Sequence, residues 1–434
     1  MLRTMSTSDN CVSSSSGGKL AGEGGGGDAD RAAVAAVIDV PDGHEVITEG
    51  QITMLYPKIE NSVFYNPVQV QNRDLSVLML GMYAERRTER MWTTRKRKEV
   101  RKKMMREEEE NRAGAAAAAD GNNGGGDARE ETKEERRASL ARLEVDLDAR
   151  VADERSSIDF AKMTRESSHT VDGMSIFEAL AASGLRSLRY WKEVPGVRTI
   201  VVNDLDPVAV DMARENIVRN GLADDMVGGR EEWGGDVANA NGCRHRSRPR
   251  GIKLQVGDAT HEMYMARLPP RLQTNMCNPT QLEYQTPQYD VIDLDPYGSA
   301  APFVDAALQS ISDGGLLAVT CTDMAALGGS HPETCYGRYG AFPIQRAGYL
   351  QELALRILLY HISVVAGRYG RTIRPVLSVG MAFYCRVFVE VNDDKAGVSN
   401  RFFLFQFNFS LSCCILCHDW NRCLLILVLR IVTR

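Results

Sequence analysis

Val291-Ile292-Asp293-Leu294-Asp295-Pro296-Tyr297-Gly298-Ser299 reads as a buried strand that ends on a carboxylate, a proline, an aromatic ring and a glycine. A short apolar run bounded by turn residues marks such a strand. The order that follows puts a hydrogen-bond acceptor and a flat stacking surface together at the strand's C-terminal end. That pair suits a planar amine whose lone pair is delocalised. Such an amine is a poor nucleophile, to be held in line with its donor and hydrogen-bonded as charge develops. An ordinary strand-to-turn corner opened by Asp-Pro has the same residues, so the surroundings decide.

Working outward, short strands alternate with helices. Ile176-Phe177-Glu178-Ala179 is a strand, and Gly184 opens a helix through Trp191. Thr199-Ile200-Val201-Val202-Asn203 is the next strand; Pro207 starts a helix that Gly221 closes. A Gly/Arg-rich loop covers 222–250, before the strand Ile252-Lys253-Leu254-Gln255-Val256. Beyond the opening stretch, a helix over 302–311 ends at Asp313-Gly314-Gly315, and residues 316–321 form a buried strand. Residues 346–365 predict a long amphipathic helix. The strands 374–379 and 381–391, separated only by Gly380, are too close for a crossover and read as an antiparallel pair. Five strand-plus-crossover units and a hairpin make an α/β fold: a doubly wound, mostly parallel sheet with a terminal antiparallel hairpin.

The 434 residues carry a net charge of −5 and are 44% hydrophobic, enough for a substantial core. The charge averages a basic tract over 86–106 against acidic and low-complexity stretches. Residues 1–43 read as a disordered leader. Residues 44–106 comprise a hairpin around Glu49-Gly50, a helix from Gln69 towards Tyr83, and the basic extension. Residues 107–169 read as a low-complexity surface insert, 170–396 as the ligand-binding domain, and 397–434 as an aberrant apolar tail of foreign sequence. Ten scattered cysteines without a secretory signal predict a reducing compartment. Cys413, Cys414, Cys417, His418 and Cys423 are close enough for zinc, but their apolar setting predicts no metal. No membrane or obligate protein partner is expected.

In a doubly wound sheet, ligands sit outside the C-terminal strand ends. Glu178, Asp204, Asp258 and Asp295 all fall at such places. An acid after the second strand can accept both hydroxyls of a ribose, and one after the third can accept from an adenine amine. Each can equally be a helix N-cap. The first turn, Glu178-Ala179-Leu180-Ala181-Ala182-Ser183-Gly184-Leu185-Arg186, has no G-x-G-x-x-G, which disfavours a dinucleotide. It fits S-adenosylmethionine, whose carboxylate Arg186 could bind.

Phe64-Tyr65-Asn66-Pro67, Asn72-Arg73-Asp74-Leu75-Ser76, Ala182-Ser183-Gly184-Leu185-Arg186-Ser187-Leu188-Arg189, Asn203-Asp204, Gly257-Asp258-Ala259, Asp293-Leu294-Asp295-Pro296-Tyr297-Gly298-Ser299 and Arg338-Tyr339-Gly340 occur in this order. Together they resemble the tRNA (guanine-26-N2) dimethyltransferases over about 44–86 and 173–391. The resemblance implies a class I methyltransferase, Rossmann-like fold with S-adenosylmethionine as donor and tRNA as partner. It implies Arg73, Arg186, Asp204, Asp258 and Ala259 at the cofactor. Asp295 with Pro296 would receive the guanine amine, and Phe64 and Tyr297 would contact a base extruded from the tRNA. For Phe64 the competing role is core packing, and for Arg73 a surface ion pair.

The expected activity is methylation of guanine N2, at position 26, once and then again. The family's usual C-terminal tRNA-binding domain is not recognisable, so a second expectation stands beside the first: a weak form that binds cofactor or tRNA without efficient turnover. A nicotinamide oxidoreductase is opposed by the missing glycine pattern. The basic tract could contact phosphates or direct nuclear import, and equally be a solvated helix face. The nucleus is the expected location, with a mitochondrial or cytoplasmic share.

Overall fold

A computed structural model describes residues 43–57, 65–119, 133–227, 236–238, 244–246, 250–267, 288–346, 348–381, 383–400 and 425–427. The chain opens with a hairpin, β1 (His44–Glu49) and β2 (Ile52–Pro57), turning through Gly50 at φ +58°. Three helices follow: α1 (Val70–Ala119), α2 (Lys133–Arg155) and α3 (Phe160–Glu166). The alternating part then runs β3 (Met174–Glu178), α4 (Leu185–Glu193), β4 (Val197–Asp204) and α5 (Pro207–Arg219). A small hairpin of β5 (Asp236–Ala238) and β6 (Arg244–Arg246) precedes β7 (Gly251–Val256) and α6 (Ala259–Met265). Next come β8 (Tyr289–Leu294), α7 (Ala301–Ser310) and β9 (Ile311–Cys321), then α8 (Met324–Leu327), α9 (Pro332–Tyr339) and α10 (Leu350–Arg368). The chain closes with β10 (Arg371–Met381), β11 (Tyr384–Asp393) and β12 (Leu425–Leu427).

The large sheet has the order β12-β10-β11-β9-β8-β3-β4-β7. Strands β7, β4, β3, β8 and β9 are mutually parallel, while β11 runs antiparallel between β9 and β10. This is the class I methyltransferase arrangement, doubly wound and mostly parallel, with the hairpin expected after the fifth unit. Both faces are covered. Phe177, Val201, Ile292, Leu317 and Val387 look toward α7 and α10. Their chain neighbours Ile176, Val202, Val291, Leu316 and Phe388 look toward α1, α4, α5 and β2. Burial on both sides explains why these strands read as unbroken apolar runs.

Three local expectations need correction. The helix expected to stop near Tyr83 continues to Ala119, 50 residues in all. Its second half has no apolar stripe to announce it, and charged, straight-chain residues sustain helix wherever ion pairs are available. The boundary drawn between 106 and 107 therefore falls inside one helix, and α2 packs along it. Val100 and Met104 of α1 meet Leu147 and Val151 of α2 in a small separate cluster, each pair at i, i+4 spacing. Third, α7 ends at Ser310 and β9 begins at once, taking Asp313-Gly314-Gly315 into the strand through a register shift against β8. The cysteine cluster of the tail lies outside the described residues, as do Phe64 and residues 1–42.

Candidate active site

The C-terminal ends of β3, β4 and β8, with the start of α1, enclose a cavity of about 220 Å³. Arg73, Arg186, Asp204, Asp295, Pro296 and Tyr297 all line it. Asp258 and Ala259 do not: Asp258 is exposed and caps α6, accepting from His261 N at 2.8 Å, and Ala259 is buried behind it. Tyr65, Asn66, Gln69 and Glu178 join the lining.

The turn from β3 into α4 is unusual. Ala182 has φ +48°, a left-handed value that costs a residue with a Cβ, and Gly184 has φ +73°. A Cβ on Gly184 would come within 2.9 Å of Ala213 Cβ, so the glycine also lets α4 approach α5. Asp204 stabilises this turn from the end of β4. One carboxylate oxygen accepts from Ala182 N at 2.8 Å and the other from Asp206 N at 3.0 Å. The helix-capping role open to this acid belongs instead to Asp206, which accepts from Val208 N.

Beneath the cavity floor lies a set of buried charges. Asp293, fully buried, receives both Nη atoms of Arg386 at 2.7 and 2.8 Å and the Tyr190 hydroxyl at 2.6 Å. Arg186 Nη1 lies 3.5 Å from the same carboxylate. Arg386, also fully buried, donates further to Thr320 Oγ1 and Ser76 Oγ, each at 2.8 Å. Arg186 then carries the network upward, ion-pairing with Asp295 through Nη2. Its Nε is 3.6 Å from Glu178, which also accepts from the Ser187 hydroxyl. Burial alone would raise the Asp293 carboxyl, but the Arg386 and Arg186 guanidiniums outweigh it and hold the group at about 2. Burial wins at Glu178, assisted by the nearby Asp293 and Asp295 and opposed by Arg186, and its carboxyl rises to about 8.

The flank is equally determined. Arg73 makes a bidentate pair with Glu49 at 2.7 and 2.6 Å, and its guanidinium lies 5.2 Å from the Tyr65 ring centre. Glu49 also accepts from Arg189 at 2.7 Å. The ion-pair alternative for Arg73 is thus realised, inside the cavity wall and not on a helix surface. On the other flank the Asp295–Ser299 loop is pinned to the end of β9. Gly298 N donates to Thr322 Oγ1 at 2.7 Å, and Thr322 N returns a bond to Gly298 O at 2.8 Å. Ser299 Oγ and Tyr339 Oη are 2.7 Å apart, and Tyr339 also donates to Asp323. Asp295 is nearly buried and Tyr297 stands 71% exposed at the mouth. A rigid acceptor beside an accessible ring can receive a planar group from solvent.

Sequence reasoning missed Glu49, Tyr190, Asp293 and Arg386 as site residues. Asp293 sat in the quoted motif unassigned. The signal for Arg386 was a lone guanidinium inside Tyr384-Cys385-Arg386-Val387-Phe388-Val389, a run otherwise without charge and hence buried.

The family model for N2,N2-dimethylguanosine tRNA methyltransferases matches residues 43–233 and 273–425. Tail residues up to 425 are within the match. The chain is 33% identical to a tRNA (guanine(26)-N(2))-dimethyltransferase of Schizosaccharomyces pombe, over 82% of this chain and 50% of that protein. It is 33% identical to the Mus musculus protein of the same name, over 82% of this chain and 42% of that one. The chain spans half or less of the length of these relatives. A solved structure described as Trm1 from Pyrococcus horikoshii with S-adenosyl-L-methionine is 21% identical, with a TM-score of 0.48, covering 82% of this chain and 63% of that one.

Proposed function

The chain belongs to the N2,N2-dimethylguanosine tRNA methyltransferase family, and from that premise we propose that it transfers methyl groups from S-adenosylmethionine to the exocyclic N2 of a guanine in tRNA, at position 26, once and then again. The observation that carries this reading is Asp295-Pro296-Tyr297 lining one cavity together with Asp204 and Arg186, with Arg186 held against Asp295.

The residues present fit the cofactor. Carboxylates at Glu178, Asp204 and Asp295 line a site for a cationic nucleoside, and no glycine-rich phosphate cradle competes. Asp204 would accept from the ribose hydroxyls, its position fixed by the bonds from Ala182 and Asp206. Asp258 and Ala259 would border the adenine. Arg73 and Arg186 would face the methionine part. Both are already ion-paired, so they would share their charge with a ligand carboxylate and not bind it alone.

When bound, S-adenosylmethionine supplies a methyl group on a positively charged sulfur. The chain's own residues prepare the acceptor. Tyr297 stacks on the extruded guanine, with Phe64 as a second contact, and recovers part of the unstacking cost. Asp295 accepts an N2–H hydrogen bond and so directs the nitrogen lone pair. As the amine becomes positive, the carboxylate stabilises it and takes the proton, or passes it to water. Pro296 restricts the backbone between acceptor and ring. Arg186 prevents Asp295 from turning away. We place the protein in the nucleus, through the exposed Lys98, Lys102 and Arg106 of the basic tract; imaging the tagged chain with and without these cations checks this.

The test is single-turnover transfer from labelled donor to undermethylated tRNA, followed by nucleoside analysis. Asp295→Ala is expected to keep cofactor binding and lose on the order of 100-fold or more in rate. Full activity of that variant would remove Asp295 from the mechanism. Cofactor and tRNA binding by the unaltered chain without transfer would establish the weak, binding-only form instead.

A further inference from the structure

Below the cavity the buried charges do not balance. Asp293 is matched by the two Nη atoms of Arg386. Asp295 is matched by Arg186 Nη2. Glu178, which closes β3 on the cavity wall, receives the remainder: Arg186 Nε at 3.6 Å, beyond hydrogen-bond range, and a neutral hydroxyl from Ser187. The groups facing it are Arg186, Ser187 and Tyr190 of α4 with Asp293 of β8 and Asp295 just beyond it. Arg73 and Asp204 stand on the same cavity wall, but Arg73 is already paired with Glu49. With every carboxyl ionised, this buried set would hold three negative charges against the two guanidiniums of Arg186 and Arg386. One proton removes the excess, and the geometry leaves Glu178 as its seat.

We propose that Glu178 holds a proton in the free protein and releases it to solvent when S-adenosylmethionine enters, so that the cofactor's positive charge replaces the proton. The inference rests on the cofactor reading above. With the Glu178 carboxyl raised by burial to about 8, nearly all molecules carry the proton at pH 6.5. The cofactor, with its sulfonium, amino and carboxylate groups, brings one net positive charge next to that carboxyl and favours its ionised form. S-adenosylhomocysteine has lost the sulfonium charge and is neutral, so the proton returns when methyl has left. The site therefore separates donor from spent product by charge, although the two differ by a single methyl group. Linkage then makes donor affinity rise with pH up to about 8, while product affinity changes little.

The experiment is titration calorimetry of the full chain at pH 6.5 in buffers of different ionisation enthalpy, with S-adenosylmethionine and separately with S-adenosylhomocysteine. About one proton per site is expected to leave with the former and far less with the latter. Glu178→Gln, which mimics the neutral carboxyl, should abolish the difference; protons from the ligands' own amino groups would persist in that variant. On the unaltered protein alone, donor affinity should rise close to tenfold from pH 6 to pH 7 and level off above 8. Binding of the donor without proton release, equal release with both ligands, or unchanged release in Glu178→Gln overturns the proposal and leaves the cofactor reading intact. No binding of either ligand overturns the cofactor reading itself.

Discussion

One helix, α1, touches two sets of arginine–carboxylate pairs that differ in almost every physical respect. Near its start, Ser76 touches both Arg186 and Arg386, and the guanidiniums share the buried Asp293 and the nearly buried Asp295. About 32 to 38 Å further along, at 1.5 Å per residue, Arg97 and Arg101 reach across to Glu144 on α2, and Arg97 also to Asp148. The chemistry is the same, but these partners are roughly half exposed. Water screens the second set, whereas Asp293 and Arg386 at the heart of the first are fully buried. Part of the tract that looked most like a nucleic-acid binder, Lys96, Arg97 and Arg101, is therefore spent on holding α2. Arg95 makes a similarly exposed pair with Asp172 before β3, whereas Arg87 makes a mostly buried one with Asp290 of β8. Charge density in a sequence does not indicate where charge matters; desolvation does.

The comparison breaks most visibly at Asp293. Asp293→Ala leaves two guanidiniums buried without their shared partner, and about 3–5 kcal/mol of stability should be lost. Urea unfolding measures it. A loss below about 1 kcal/mol would mean that water enters and that the two sets are alike.

Glu178 sharpens the contrast through pH. Its carboxyl titrates near 8 in the folded protein, against 4.5 ordinarily. Between these values the folded chain retains a proton that the unfolded chain has lost. Stability from this group is complete below 4.5 and falls as pH rises through 8, with a slope of at most about 1.4 kcal/mol for each step of one in pH. Thermal unfolding from pH 5 to 8.5 should show that decline, and Glu178→Gln should flatten it. Asp293 acts oppositely: held at about 2, it contributes above 3.8 and loses its contribution as pH falls through 2.

Asp204 is intermediate, half-buried at the rim. Asp204→Ala should weaken S-adenosylmethionine binding tenfold or more, since a charged hydrogen bond contributes about 1.5–3 kcal/mol. Part of that loss comes from releasing Ala182 from its left-handed turn, so Asp204→Asn should recover some affinity in calorimetry. Unchanged affinity in a folded Asp204→Ala protein would remove this residue from the cofactor site.

The smallest effect is expected at Glu144. It joins two arginines, yet Glu144→Ala should cost no more than about 1 kcal/mol, and 0.5 M salt should erase the difference. A larger, salt-resistant loss would show that the α1–α2 pairs act cooperatively.

How much of this was legible depends on which force wrote each part. Strands buried on both faces announce themselves as apolar runs, so β3, β4, β7, β8, β9 and the final hairpin were found within a few residues. Asp295 was legible because proline, an aromatic and glycine follow it. The length of α1 was not, since a helix stabilised by cross-helix ion pairs has no hydrophobic period. Nor was Arg386, whose role depends on residues 76, 293 and 320, brought together only by the sheet. Asp258 caps α6, and strand ends use the same residue for capping and for ligand contact, so its sequence position could not separate the two roles.

The Ser76–Arg386 hydrogen bond joins residues 310 positions apart. During synthesis, Ser76, Tyr190, Arg186 and Asp293 all leave the ribosome before the guanidinium that neutralises Asp293. Until β11 inserts beside β9, the cavity floor holds a carboxylate without its main partner, and the earlier strands cannot settle around it. Closing a loop that long comes late. An early helix and a late strand thus meet at one point, and a chain that stopped before β11 would leave Asp293 without its fully buried partner Arg386.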